Sequence, residues 1–170
     1  ISAENILALK ENKINYIVGA RLGNVSNELV TEIDNSICRE DGKSIRIKTD
    51  NGYLICSYSS VRYRKDKYEM ERQIEKAKYI ISNPSKNKKI KFTKLSGQQI
   101  ELNQKLIAKT QKLLGIKGYY TNLEESFASN QTIMERYHEL YKIEQAFRIS
   151  KSDLQTRPIF HFKEEPIKLH

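Results

Sequence analysis

The chain has 170 residues, of which 38% are hydrophobic and 30% charged, and its formal net charge is +9. This length suffices for one domain with a real core, and no apolar run approaches the roughly 18–20 residues of a membrane span. We therefore expect a soluble cytoplasmic protein without a membrane partner. Cys38 and Cys56 show no metal-ligand spacing, so we expect reduced, inert thiols.

The positive charge is concentrated in the middle of the chain. Residues 62–94 carry 12 basic and 4 acidic side chains, whereas residues 1–61 carry 7 and 8. A basic segment on a nearly neutral frame favours a polyanionic partner, because each neutralised phosphate releases counterions. A solvated lysine-rich surface is the alternative interpretation of the same charge.

The first 37 residues predict a helix, a strand and a second helix. Ser2 can cap a helix over residues 3–12. The nearly continuous apolar run INYIVGAR, residues 14–21, is typical of a strand buried on both faces of a parallel sheet. Apolar residues then recur at helical spacing from Val25 to Ile37. This order favours an α/β region.

The following segment predicts antiparallel structure. SIRIKT and YLICSYSSVRYR alternate on either side of Asp50-Asn51-Gly52, which is a strong hairpin signal. If the second strand extends to residue 64, Arg62 and Arg64 share one of its faces. The further predicted elements are a helix over 66–81, a strand near 89–93, a helix over 100–114 ended by Gly115, and a strand in GIKGYYTNL.

The last predicted element is a long helix from about residue 130 to 154, ended by Arg157-Pro158. Helical spacing places Glu144 in an apolar stripe with Leu140 and Phe147. Burying an ionised carboxylate is costly unless it is paired, hydrogen-bonded or bound to a metal. We therefore expect a partner for Glu144, either a neighbouring cation such as Lys142 or Arg148, or a metal ion.

A family resemblance appears at this helix. Tyr137, Glu144 and Lys151 stand at the spacing of the Y-x2-R-x3-E-x6-K signature, and the chain resembles the bacterial insertion-sequence transposases that carry it, which are DDE enzymes with an RNase H-like core. The segments NYIVGARLGNVSNEL, YYTNL and YKIEQAFRISKSDLQTRPIFHF resemble the same family, so the resemblance covers essentially the whole chain. The signature's Arg position is Leu140 here, which removes one expected DNA contact.

The resemblance implies an α+β (α/β) fold in three parts. Residues 1–37 would form the last helix-strand part of a partial RNase H-like core. Residues 38–122 would form a β-rich, basic insertion. Residues 123–170 would form the Glu-bearing helix and the C-terminal segment of the core.

The resemblance also implies catalytic roles for Glu144, Tyr137 and Lys151. Glu144 would be the third acidic residue of the triad and a ligand of two Mg²⁺ or Mn²⁺ ions, which promote in-line attack on a phosphodiester and prefer carboxylate oxygens. Neither catalytic Asp is recognisable in this sequence, so both are expected upstream of Ile1. The implied protein is the C-terminal part of a transposase, inactive alone, whose full-length parent cuts and joins DNA.

The implied partners are transposon terminal inverted repeats and target DNA, bound by a homodimer in the synaptic complex at the bacterial nucleoid. The expected phosphate contacts come from basic side chains of the insertion and of the C-terminal part. They are Arg62, Arg64, Lys86, Lys88, Lys89, Lys91, Arg148 and Arg157.

Each of these assignments has a structural alternative. Tyr137 would also suit an ordinary core, and Lys151 a solvated charge favoured by the helix dipole. Arg62 and Arg64 would also suit a strand edge kept soluble by charge, and Arg157 a contact with the helix end. The alternative function is a non-catalytic DNA-binding or structural remnant of a mobile element.

Overall fold

The computed structural model describes residues 3–83, 90–96 and 99–152, without the side chains of residues 3, 95, 96, 99, 151 and 152. The chain divides into two compact units, Ile1–Asn130 and Gln131–His170. The described elements are α1 (Ala3–Glu11), β1 (Ile17–Ala20), a 3₁₀ turn (Leu22–Asn24), α2 (Asn27–Ser36), β2 (Ser44–Thr49), β3 (Gly52–Tyr58), α3 (Ser60–Ser82), β4 (Thr93–Ser96), β5 (Gln99–Leu102), α4 (Gln104–Lys112), β6 (Ile116–Thr121), α5 (Asn130–His138) and α6 (Leu140–Ser152).

Strands β1, β6, β3 and β2 form one antiparallel sheet in that order. The last of these strands in the sequence, β6, lies between β1 and β3, with Val18 and Leu54 both opposite Tyr120. Strands β4 and β5 form a separate antiparallel pair. The described fold is therefore α+β.

The predicted β2–β3 hairpin is confirmed. Thr49 pairs with Gly52 across the two-residue loop Asp50-Asn51. Gly52 has φ +89°, and a Cβ at this position would lie 2.4 Å from the carbonyl oxygen of Thr121. A residue with a side chain would meet both a strained backbone and a clash there, so the turn requires glycine.

Two hydrophobic clusters form the core of the first unit. One packs α2 against the sheet, and its buried residues are Leu22, Ile33, Ile37, Ile47, Leu54, Cys56 and Ile116. The other lies between α3 and α4, and its buried residues are Met70, Ala77, Phe92, Ile107 and Leu114. Burial raises the pKa of the Cys56 thiol to about 12, so this thiol stays protonated and unreactive.

The prediction of a parallel strand buried on both faces at residues 14–21 is wrong. Strand β1 is shorter, lies at an edge of the sheet, pairs antiparallel with β6 and is half-buried along its length. A short apolar run does not distinguish a central strand from an edge strand whose other face packs on a helix.

The predicted extension of the second hairpin strand to residue 64 is also wrong. Strand β3 ends at Tyr58, and Ser59 caps α3 by accepting a hydrogen bond from the Arg62 amide at 3.4 Å. Arg62 and Arg64 therefore lie in the first turns of a helix. The helix predicted over 66–81 is confirmed within α3.

The helices predicted over 100–114 and from about residue 130 are confirmed in part. Of residues 100–114, the first three belong to β5, and Asn103 then caps α4 by accepting from the Leu106 amide. The long helix from residue 130 is divided at Glu139 into α5 and α6, and the predicted end beyond residue 152 lies outside the described residues. Within the described ranges, no helix has the length and apolar character needed to cross a membrane.

Candidate nucleic-acid interface

The predicted burial of Glu144 is wrong. Its side chain is exposed on α6, and its two apolar neighbours in the stripe are exposed as well, Leu140 by 43% and Phe147 by 64%. Helical spacing identifies residues that share a face, but it does not determine whether another element covers that face. Burial therefore gives no support to a special role of Glu144.

The other residues of the signature have different surroundings. Tyr137 is half-buried on α5, and Lys151 lies in the last turn of α6 with its side chain outside the described part. Lys142 is one of the expected salt-bridge partners of Glu144, but its Nζ lies 3.8 Å from Oε1 of Glu139. Arg148 is exposed on α6, and Arg157 lies outside the described residues.

The predicted metal site cannot be built from the described residues alone. No group of three or more His, Cys, Asp or Glu side chains among them is arranged to hold a metal ion. Glu144 offers one exposed carboxylate, whereas a two-metal site needs several converging oxygen ligands. A divalent-metal centre at Glu144 would have to take its other carboxylates from elsewhere.

The first unit contains a cleft of about 560 Å³ bordered by α3, α4, β6 and residues 20–24. Basic side chains from separate elements converge on it, and we call it the basic cleft. Its charged lining residues are Arg21, Arg62, Lys91, Lys109 and Lys117 on the positive side and Asp66 and Glu69 on the negative side.

Local backbone structure brings these side chains together. Because Ser59 caps α3, Arg62 lies in the first turn of that helix. Gly118 on β6 allows the 3₁₀ turn to approach closely, since a Cβ at this position would lie 2.6 Å from Cδ2 of Leu22. The turn therefore packs on β6 next to Lys117, with Arg21 immediately before it.

Several contacts orient the cations of the cleft. The Nε of Arg62 lies 3.3 Å from Oδ2 of Asp66, and the same oxygen accepts a hydrogen bond from the Gly115 amide at 3.3 Å. The Nζ of Lys109 donates to the carbonyl oxygen of Val25 at 2.5 Å. The Nζ of Lys117 lies 5.1 Å from the centre of the Tyr119 ring. These side chains are held by the fold.

The surroundings of Lys117 in the cleft disfavour its charged form. Burial lowers the pKa of Lys117, and the nearby positive charge of Arg62 lowers it further. In addition, the buried Oε1 of Gln73 has no hydrogen-bond partner among the described residues, although its Nε2 donates to Glu69 at 3.0 Å.

Only some of the predicted DNA contacts meet in this cleft. Arg62 and Lys91 line it, whereas Arg64 lies outside its lining. The positive charge of Arg64 instead helps to lower the pKa of Asp41, for which hydrogen bonds from Ser60 are the larger cause. Lys86, Lys88 and Lys89 lie outside the described residues.

The sequence pattern did not predict three of the cleft residues, Arg21, Lys109 and Lys117. They come from segments of nearly balanced charge, so charge counting along the chain gives no signal for them.

The chemistry that this lining offers is the binding of anionic groups. Five cations against two carboxylates leave the cleft positively charged, as expected of a phosphate-binding surface. Comparison with protein-family models, with curated proteins and with solved structures finds no match.

Proposed function

We propose that this chain is the C-terminal part of a DDE transposase of the bacterial insertion-sequence type, containing part of an RNase H-like core. The observation that carries the proposal is the spacing of Tyr137, Glu144 and Lys151, which lies on the helices α5 and α6. The flanking segments quoted above, which resemble the same family from the beginning of the chain to its end, support it further. The full-length parent would cleave and join DNA in the presence of Mg²⁺ or Mn²⁺.

In this proposal Glu144 supplies one of three carboxylates to the metal ions. The other two would be Asp side chains of the parent outside this chain, as the family resemblance implies. Because one carboxylate cannot hold two divalent ions, the 170 residues alone are expected to be inactive.

The basic cleft supports the DNA-binding part of the proposal. Phosphate contacts supply most of the affinity of proteins for DNA, and the cleft gathers cations from both the start and the middle of the chain. The partners in this proposal are terminal inverted repeats and target DNA, paired in a synaptic complex by a homodimer.

A second candidate function is DNA binding without catalysis, in a remnant of a mobile element. It is favoured by the exposure of Glu144. The basic cleft, moreover, lies entirely within the first compact unit and does not involve Glu144. In that case the cleft would retain its function whether or not a metal site exists.

The test compares the full-length parent with its Glu144→Gln variant in Mn²⁺-dependent cleavage of the terminal repeats. The proposal predicts that cleavage is abolished while binding to the repeats persists. The matched control is Glu135→Gln, which changes another exposed carboxylate, on α5, and should leave cleavage intact. Undiminished cleavage by Glu144→Gln refutes the catalytic role and favours the second candidate.

A further inference from the structure

We propose that the basic cleft seats backbone phosphates of duplex DNA and that Arg62 and Lys117 hold one phosphate between them. The choice of DNA as the polyanion rests on the proposed function. The placement of the contact rests on the cleft itself, and it includes three cations, Arg21, Lys109 and Lys117, that lie outside the basic segment of the sequence.

The convergence of the cations is the first argument. A solvated lysine-rich surface spreads its charges along one exposed face, where water screens them. Here five cations, one before the 3₁₀ turn, one on α3, one before β4, one on α4 and one on β6, line one concave surface with two carboxylates, Asp66 and Glu69. The formal charge of the lining is therefore +3, concentrated where an anion can contact several side chains at once.

The pairing of like charges is the second argument. Arg62 and Lys117 line the same cleft, where burial lowers the pKa of Lys117 and the charge of Arg62 lowers it further. A phosphate oxygen placed between the two cations would replace this repulsion by two attractive contacts.

The third argument is the nonpolar wall of the cleft. Buried Met70, Leu114 and Ile116 line it beside the charged residues. Attraction between opposite charges is stronger next to such low-dielectric surface than in bulk water. An anion in the cleft would therefore be bound more tightly than one on an open lysine-rich face.

The size of the cleft limits what it can recognise. A volume of about 560 Å³ admits a short stretch of backbone and no complete duplex. Contacts to phosphates position a protein on DNA without reading the bases. The cleft is therefore expected to bind unrelated duplexes with equal affinity.

The test measures duplex binding by fluorescence anisotropy at several salt concentrations. The double variant Arg62→Gln/Lys117→Gln should bind at least tenfold more weakly, and its plot of log affinity against log salt should be shallower by about 0.9, the value for one phosphate contact. The control Lys65→Gln/Lys67→Gln removes the same charge from exposed positions of α3 and should bind almost normally. Equal losses in both variants overturn the proposal.

A second measurement uses the unaltered chain and does not depend on the folding of variants. The acylation rate of the Lys117 amine is measured with and without duplex DNA, and exposed Lys48 on β2 serves as the reference. The proposal predicts that DNA slows the modification of Lys117 at least fivefold and leaves Lys48 unaffected. Equal rates for Lys117 with and without DNA overturn it.

The two proposals can fail separately. If cleavage by the parent requires Glu144 but the Arg62/Lys117 variant binds DNA normally, the cleft assignment is wrong and the transposase assignment stands. If the cleft variant loses binding but Glu144→Gln cleaves normally, the cleft assignment stands and the catalytic role is wrong.

Discussion

Replacing Arg46 by methionine should release the segment that follows β6. Arg46 lies on β2, and its guanidinium donates three hydrogen bonds, from Nε to Oδ1 of Asn130 at 2.9 Å, from Nη1 to the Leu123 carbonyl at 3.0 Å and from Nη2 to the Ala128 carbonyl at 2.6 Å. Methionine keeps a similar stem but no donor. The two carbonyl groups and the Asn130 amide would lose a shared partner.

The expected loss of stability can be estimated from these contacts. A hydrogen bond to a charged donor contributes about 1.5–3 kcal/mol. The three bonds share one half-buried guanidinium and water can replace part of them, so their contributions do not simply add. We expect the free energy of unfolding to fall by about 2–4 kcal/mol, which corresponds to a Tm lower by roughly 4–16 °C for a chain of this size.

Thermal unfolding followed by circular dichroism measures the loss, and amide hydrogen exchange locates it. The exchange rate should rise more in residues 123–130 than in the β2–β3 hairpin, because the side chain of Arg46 ties that segment to β2. Lys48→Met, at an exposed position of the same strand, is the matched control. A loss no larger than that of the control, or unchanged exchange in 123–130, would refute the role assigned to Arg46.

Three further changes test the fold. Gly52→Ala should lower the free energy of unfolding by about 2–4 kcal/mol, because φ is +89° and the added Cβ meets the Thr121 carbonyl; a loss below about 1 kcal/mol in urea unfolding contradicts this. Ile33→Ala should cost about 2–5 kcal/mol, because the side chain is fully buried, and a wild-type urea midpoint contradicts this. Hydrogen bonds from Ser60 lower the pKa of Asp41 below its ordinary 3.8, so their stabilisation is complete above that pH and is lost as pH falls through the lowered pKa. The stability of Asp41→Asn should therefore fall less steeply than that of wild type in this acidic range, and parallel curves would contradict the assignment.

The elements that the sequence predicts correctly are those that local chemistry determines. The hairpin follows from Asn51-Gly52 between alternating runs, and α2 and most of α3 follow from apolar residues at helical spacing. The errors occur where an element depends on distant partners. The environment of β1 is set by β6, and the start of α3 at Ser60 is reinforced by Asp41, which accepts hydrogen bonds from both the amide and the hydroxyl of that serine.

The candidate site likewise combines residues that the local sequence predicts with residues that depend on distant partners. The basic segment predicts Arg62 and Lys91, and both line the cleft, but Arg62 reaches it from a helix and not from the predicted strand. Arg21 and Lys117 join them only because the 3₁₀ turn packs on β6. Glu144 is the opposite case, since its spacing predicts a buried position and its side chain is exposed.

The position of β6 determines the order in which the sheet can assemble during synthesis. Strand β1 pairs with residues about a hundred positions later in the chain, whereas β2 and β3 are joined by two residues. At ribosomal rates of about 5–20 residues per second, β1 waits roughly 5–20 s for its partner, while the hairpin can form at once. A chain terminated between β5 and β6 would therefore contain only that two-stranded hairpin of the sheet, which is marginally stable alone. Loss of β6 would therefore also leave β1 without its partner strand.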